Sequence, residues 1–547
     1  MPTVTLNRKT MEKLVGQKLT DAKLKDRVPY LGASIEALSK EEVQVEIEPN
    51  RPDLLSEQGF ARALSSFIGI NTGLRKYDVK KGPDKVIAEE SVKKVRPYTS
   101  CAVVKGLKFN EEKIKEVIQI QEKLHVTYGR NRKKVAIGIY PFEKIKTPIR
   151  FIGMNPRKIE FRPLESSRKL NGLQILSQHP TGRNYGHLLE GAERFPIFID
   201  ANNKILSMPP IINSHDIGKI SNDTKDVFIE CSGFDYEVLA KCLNMIVTAL
   251  ADMGGEIYSM EIDLYGKKVV SPVLKPKEMK INLDYINKRL GLSLKEKDVK
   301  KLLARMGYGY VKGRALVPAY RADVLHQIDL VEDIAIAYGY ENIDEEMSDV
   351  ATVAEENKFE VFKRKTSEIL AGLGLIECKT FTITNKEFQS DRMNCTIPLI
   401  ELANALNQEY SVLAAWNIPL LMEALQNNKH HEYPQNVFSI GRVFKKDERQ
   451  ETKILEQERL ACVLCSDDAD YTRIKQVLDY LFRMIGKEYS MEAASHDSFI
   501  PGRAGRVLVG HKKVAYIGEI NPVVLSNWEL DMPAAAFELN LSELFID

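Results

Sequence analysis

Tryptophan occurs only twice and cysteine only seven times in the 547 residues. The cysteines (101, 231, 242, 378, 395, 462 and 465) are too sparse and scattered for a disulfide framework, which fits a reducing cytosol. Nowhere do 18 apolar residues run together, so no membrane-spanning helix is expected. The opening MPTVTLNRKTMEKLVGQKL lacks a continuous apolar stretch, which excludes a secretory signal. Residue 2 is Pro and the chain closes on LFID, so lipidation motifs are absent too. Neither charge dominates: 78 Lys+Arg meet 76 Asp+Glu, for a net charge of +2. That excludes an overall basic coat for nucleic acid and leaves room for a local basic surface. The sequence has no repeat of fixed period, no low-complexity tract, and none of the GxSxG, HExxH, P-loop or kinase signatures. What remains is ordinary globular composition, 44% hydrophobic and 28% charged. At about 100–200 residues per domain, the length predicts roughly three to five domains in a cytoplasmic protein.

Residues 1–90 begin with a strand at Val4–Leu6, a helix around Met11–Leu14 and a strand at Val43–Ile47, where EVQVEIE alternates charged and apolar residues. Two prolines stiffen EPNRPDLLS, and Asp53 or Ser56 can cap the helix that follows, whose apolar side is Phe60, Ala63, Leu64 and Phe67. The Lys, Gly and Asp of 71–92 read as a linker. Residues 93–265 form an α+β unit of short strands (VAIGIY, FPIFID, KILSM, DVFIEC, GEIYSMEID) and one long helix over 236–253. Residues 275–345 read as a small helical module, 346–357 as a polar connector, and 358–547 as helices alternating with antiparallel strands.

The sharpest group of potential ligands is Asp323, Asp329, Glu332 and Asp333. The last three are spaced i, i+3, i+4 on one helix face, and Asp323 can fold back toward them. Acids in a first helical turn complement the macrodipole, so capping is one reading. Clustered hard oxygens that suit Mg²⁺ are the other. Cys462-Val-Leu-Cys465 has zinc-knuckle spacing without a second pair, and its apolar strand points to core. His430-His431 reads as a solvated pair, and Gly372-Leu-Gly374 as a helix end. The run Arg130–Lys134 is either a phosphate contact or a solvated turn. Ser207, Asn213, Glu230 and Ser232 are candidates for a polar pocket; Glu230 lies in an apolar strand, facing solvent by alternation or buried for a purpose.

Several long motifs, in order, are EIEPNRPDLLSEQGFARAL, HPTGRNYGHLL (179–189), MPPIINSHD (208–216), VPAYRADVLHQIDLVEDIAIAYGYENI (317–343), NVFSIGRVF (436–444) and AAAFELNLSEL (534–544). Over nearly the whole length, the chain resembles the beta subunits of phenylalanyl-tRNA synthetase of the archaeal/eukaryotic type. The resemblance implies an α2β2 heterotetramer that uses ATP and Mg²⁺ to attach phenylalanine to tRNA(Phe), with the synthetic site in the alpha subunit. It implies an α+β multidomain fold: an N-terminal module (1–90), an editing domain (93–265), a small helical module with the acidic motif (275–345) and a class II synthetase-like antiparallel-sheet module without catalytic motifs (358–547). The family's D-x5-D-x2-E-[DE] magnesium pattern, shared with alpha, falls on Asp323, Asp329, Glu332 and Asp333.

By the same resemblance, Ser207, Glu230 and Ser232 fall on strands lining a pocket that hydrolyses tyrosyl-tRNA(Phe), with Phe198 as an apolar wall. A site made for phenylalanine cannot strongly reject a ligand that adds only a hydroxyl, so a second site is needed. The chain departs from the family pattern at Ser232-Gly-Phe-Asp235, where relatives often have Thr-Gly-Thr-Asp, and at Asn404-Ala405 and Val412-Leu413-Ala414, where they tend to read Asn-Pro and Val-Leu-Arg. Two alternatives stand beside the editing subunit. One is a non-editing structural and tRNA-binding subunit. The other is a nucleic-acid-binding protein, which the acids on the helix over 329–338 disfavour.

Overall fold

Period-two alternation builds the first sheet. Val4, Leu6, Val43, Val45 and Ile47 are buried, on the strands Thr3–Asn7 and Glu42–Ile47, as one face of a sheet meeting a core requires. These strands pair antiparallel, and Ala33–Leu38 flanks the second. The computed structural model describes residues 2–347 and 354–545, in two compact units split after Glu346. Part of the connector expected at 346–357, residues 348–353, lies outside the described residues.

Ser56 caps the helix Glu57–Phe67 by accepting the Gly59 N–H at 3.0 Å, and Asp53 instead pairs with Arg51. A side chain at Gly59 would meet the Asp53 carbonyl oxygen at 1.9 Å, so the tight entry into this helix requires glycine. Phe60, Leu64 and Phe67 are buried as expected, but so are Gln58, Arg62, Ser65 and Ser66. The helix is enclosed on nearly every side.

Residues 71–92 are not simply a linker. They contain the strand Val79–Ala88, which runs parallel to both Glu256–Leu264 and Ile149–Met154. Only Val86 and Ala88 are buried, while Lys80 and Lys85 pair with Glu256 and Glu261 at 2.7 and 3.3 Å. The charged residues hid the alternation.

This strand belongs to a ten-stranded mixed sheet. At one end of the sheet, Val227–Gly233 lies between Tyr98–Lys105 and Val135–Pro141, antiparallel to both. Phe195–Ile199, Ile205–Met208 and Ile212–Asn213 form the other end. The hairpin strand Lys267–Ser271 carries the sheet past residue 265. Val227, Ile229 and Cys231 join the core made with the helix Tyr236–Asp252, through Leu239, Leu243 and Ile246. Alternation turns Phe228, Glu230 and Ser232 to the opposite face, where Phe228 packs in a second core with Tyr140, Phe151 and Phe198. The helices Leu283–Leu290, Glu296–Arg305 and Gln327–Tyr338 accompany a small sheet of Lys277–Lys280, Arg314–Val317 and Gly309–Val311.

The second unit has a seven-stranded sheet with a core on each face. Its strands are antiparallel, except that Ile376–Glu377 runs parallel to Gln435–Lys446. Cys462 packs in one core and Cys465 in the other, both fully buried. Three residues apart on a strand, they point to opposite faces and cannot share a zinc ion.

Candidate functional site

Glu230 is 2% exposed, at the centre of Val227–Gly233. Its cross-strand partners are Cys101 and Gly138. A Cβ at Gly138 would lie 2.6 Å from Glu230 Oε1 and 1.9 Å from the Tyr140 hydroxyl, so the missing side chain makes room for both. The Tyr140 hydroxyl donates to Glu230 Oε1 at 3.0 Å and lies 3.4 Å from Asn213 Oδ1. Asn213 pairs with Ser207, and Ser207 with Phe198, so three neighbouring strands bring these residues into one row.

Two polar atoms in this group are buried without a hydrogen-bond partner among the described residues: Glu230 Oε2 and Ser207 Oγ. Burial pushes the Glu230 carboxyl up to about 8, although the Tyr140 hydroxyl and Arg96 oppose the shift. At neutral pH the group is mainly the neutral acid, able both to donate and to accept. Burial also raises the Tyr140 phenol well above its usual range, so its proton stays on oxygen.

The structure thus brings together Ser207, Asn213 and Glu230. Ser232, on the same face and with its hydroxyl bearing on the Glu230 carboxyl, is also held by Arg96, whose Nε donates to its hydroxyl at 3.1 Å and whose Nη2 donates to its carbonyl at 2.6 Å. Burial brings the Arg96 guanidinium down to about 10, and the charge of Glu230 opposes this. Phe198 is fully buried, with its ring stacked on Phe151 at 4.3 Å. Sequence reasoning missed Tyr140, Gly138 and Arg96. Tyr140 had a signal, because a tyrosine in an otherwise apolar strand must find a partner for its hydroxyl.

In the basic run, Arg132 is spent inside the protein. It donates to the Ile211 carbonyl at 2.8 Å and to Glu122 at 3.1 Å, and lies 4.3 Å over the Tyr185 ring. Arg130 and Lys133 remain exposed. His430 and His431 are exposed side by side, their rings 4.2 Å apart.

The four acids of the second group line one cleft of about 540 Å³ with Arg51 and Tyr340. Each is engaged, two of them by the same arginine. Arg321 forks onto Asp323 at 2.8 and 2.6 Å and reaches Asp333 at 2.8 Å. Tyr308 also donates to Asp333. Asp329 Oδ2 accepts the backbone N–H groups of Leu325 and His326 at 2.7 and 2.8 Å, while Glu332 accepts the Tyr340 hydroxyl at 2.7 Å. The second fork in the cleft, Arg51 onto Asp53 at 2.9 Å, repeats the Arg-x-Asp spacing of Arg321 and Asp323. Burial works to raise Asp323, but Arg321 outweighs it and holds the carboxyl below its usual range.

Among the described residues, no three His, Cys, Asp or Glu groups converge closely enough to hold a metal ion. The cluster therefore does not fit a cation held by this chain alone. Asp329 Oδ1, Glu332 Oε2 and Asp333 Oδ1 accept no hydrogen bond from the described residues. No described helix is long and apolar enough to cross a membrane.

The four acids of the cleft and the helix Gln327–Tyr338 lie within residues 279–340, which match the tRNA synthetase B5 domain. This places the chain in the class of aminoacyl-tRNA synthetase proteins. Residues 343–541, with the seven-stranded sheet, match the phenylalanyl tRNA synthetase beta chain CLM domain. The chain is 40% identical to the phenylalanine–tRNA ligase beta subunit of Pyrococcus horikoshii, with all of both chains covered. It is 36% identical to that of Methanococcus aeolicus, covering 99% of this chain and all of the relative. A crystal structure of an N-terminal fragment of the Pyrococcus horikoshii phenylalanyl-tRNA synthetase beta subunit superposes with a TM-score of 0.60 at 38% identity, covering 62% of this chain and all of the fragment. The chain belongs to the phenylalanine–tRNA ligase beta subunit family.

Proposed function

We propose that this chain works in the cytoplasm as the beta subunit of an α2β2 phenylalanine–tRNA ligase and removes tyrosine from wrongly charged tRNA(Phe). The alpha subunit carries the synthetic site, where ATP and phenylalanine react. The division of labour follows the modules 1–90, 93–265, 275–345 and 358–547, with editing in 93–265. The observation that carries the editing reading is the pair of unpartnered polar atoms, Glu230 Oε2 and Ser207 Oγ, buried on one sheet face. Buried polar groups are nearly always satisfied, so such a pair is suited to a ligand's hydroxyl. A site that hydrogen-bonds the tyrosine hydroxyl leaves polar groups unpaired when offered phenylalanine, which supplies the discrimination. Glu230 and Ser207 would hold the substrate hydroxyl, Tyr140 would orient Glu230, and Phe198 would serve as the apolar wall. Ser232 would act through Arg96.

Hydrolysis of tyrosyl-tRNA(Phe) by the chain with its alpha partner tests this reading. Glu230→Ala is expected to slow hydrolysis about 100-fold or more, the effect of leaving a buried partner unmatched, while phenylalanine attachment persists. Equal hydrolysis by wild type and variant would remove Glu230 from the site. No hydrolysis by either would leave the structural, tRNA-binding subunit, the reading favoured by the closure of Glu230 and Phe198 to solvent.

For the acidic cleft, the Mg²⁺ reading requires oxygen donors from the alpha subunit, because this chain's acids do not converge on one point. Asp323, Asp329, Glu332 and Asp333 would be its contribution, supplying negative charge at the junction. Magnesium at such a junction would tie the two subunits together.

A further inference from the structure

A second cavity, of about 480 Å³, opens on the seven-stranded sheet and serves none of the functions above. One wall is aromatic. The His496 ring lies 5.6 Å from both Trp416 and Phe499 and 5.2 Å from Tyr516. Arg506 is the cross-strand partner of Tyr516 and lies 3.9 Å over its ring. Its Nε is buried without a hydrogen-bond partner among the described residues, as is Nε of Arg459, which also lines the cavity.

The rim is cationic. Lys445, Lys446 and Lys513 line it, are exposed, and form no ion pair with the described residues. The acids nearby are already engaged. Asp447 forks with Arg449 at 2.9 Å, Glu543 accepts from Gln457 at 3.1 Å, and Glu538 accepts the N–H groups of Asn417 and Ile418 at 2.7 and 3.0 Å and pairs with Arg459.

We propose that this cavity binds a nucleotide, with the base against the Tyr516–Arg506–His496 wall and the phosphates toward Lys445, Lys446 and Lys513. A simple inorganic anion would use the cations and leave the aromatic wall idle. A neutral aromatic molecule would do the reverse, and an amino acid would need a free carboxylate for its ammonium group. A base joined to phosphate uses both halves. The proposal concerns binding alone and stands apart from the editing reading.

The test is photolabelling of the chain, co-expressed with its catalytic partner, with 8-azido-AMP, followed by mapping of labelled peptides on this chain only. Saturable labelling of peptides from 499–516 or 435–446, competed by AMP, is expected. Arg506→Ala should cut it about tenfold. The exposed rim variant Lys513→Glu should weaken it without disturbing the fold, which covers the case of an Arg506 variant that fails to fold. Labelling confined to the partner, or unchanged in both variants, overturns the proposal. Competition by pyrophosphate as strong as by AMP overturns the base-stacking half and leaves an anion site. Competition by tRNA but not by free AMP would replace a free nucleotide with an RNA end.

Discussion

Glu230 and Asp333 are similarly buried, at 2% and 5% exposed, yet their carboxyl groups are balanced by different means. Arg321 lies 2.8 Å from Asp333 and forks onto Asp323 two residues along its own extended segment. Glu230 has a buried arginine in its neighbourhood as well, but Arg96 donates its N–H groups to Ser232 and to the Arg132 carbonyl. With no guanidinium bonded to it, Glu230 is neutralised by a proton instead. The buried end of the acidic cleft is thus built round a guanidinium shared by Asp323 and Asp333, whereas the Glu230 row is a neutral one with unused hydrogen-bonding capacity. The second arrangement suits recognition of an uncharged hydroxyl; the first suits a charged partner.

The largest effect is expected from removing the compensating cation. Arg321→Ala leaves Asp323 and Asp333 without their guanidinium and should cost about 3–5 kcal/mol in chemical denaturation. Adding Asp333→Asn to that variant should recover part of the loss. A loss no larger than that of an exposed arginine would erase the contrast between the two sites.

Next is a pH dependence peculiar to Glu230. Its folded value of about 8 lies above the ordinary 4.5, so folding takes up a proton between those limits. The stability this contributes is complete below pH 4.5 and disappears as pH rises through 8. Glu230→Gln should remove that slope, so wild type loses roughly 2–4 kcal/mol relative to the variant between pH 5 and 8. Parallel profiles would mean that Glu230 is ionised in the fold, as Asp323 is beside Arg321.

Smaller still, Ser56→Ala should cost about 1 kcal/mol through loss of the bond to the Gly59 N–H. Glu332→Gln, at an exposed position, should change stability by less than about 0.5 kcal/mol. In the complex with alpha, however, it should abolish any thermal shift on adding Mg²⁺ or removing it with chelator. A full shift retained by Glu332→Gln would remove that residue from the metal reading.

Features written over a few residues were legible in the sequence. The Ser56 cap, the clustering of Asp323 with the acids of the helix Gln327–Tyr338, and the burial of Cys462 and Cys465 all follow from local spacing. Pairings across sequence were not. Tyr140 reaches Glu230 over 90 positions and Arg96 reaches Ser232 over 136, so no window of sequence contains either pair. The partners of the acids were hidden for a similar reason, since Tyr308 comes from 25 residues away. Val79–Ala88 was obscured by its own composition, with Gly82 and Pro83 at its centre and lysines turned to solvent.

That lysine-rich strand also bears on how the chain is made. Val79 pairs with Ile257, roughly 180 residues later. At ribosomal speeds of about 5–20 residues per second, the partner strand emerges some 10–35 seconds behind. Ile149–Phe151 emerges earlier but pairs only with Val86–Ala88, so throughout that interval the stretch Val79–Lys85 lacks its partner and is open to neighbouring nascent chains. Lysines along an open strand repel such pairing. Lys80, Lys81 and Lys85 are exposed on that stretch, where such repulsion acts, and replacing them with threonine is expected to lower the soluble yield more than the stability of the finished protein.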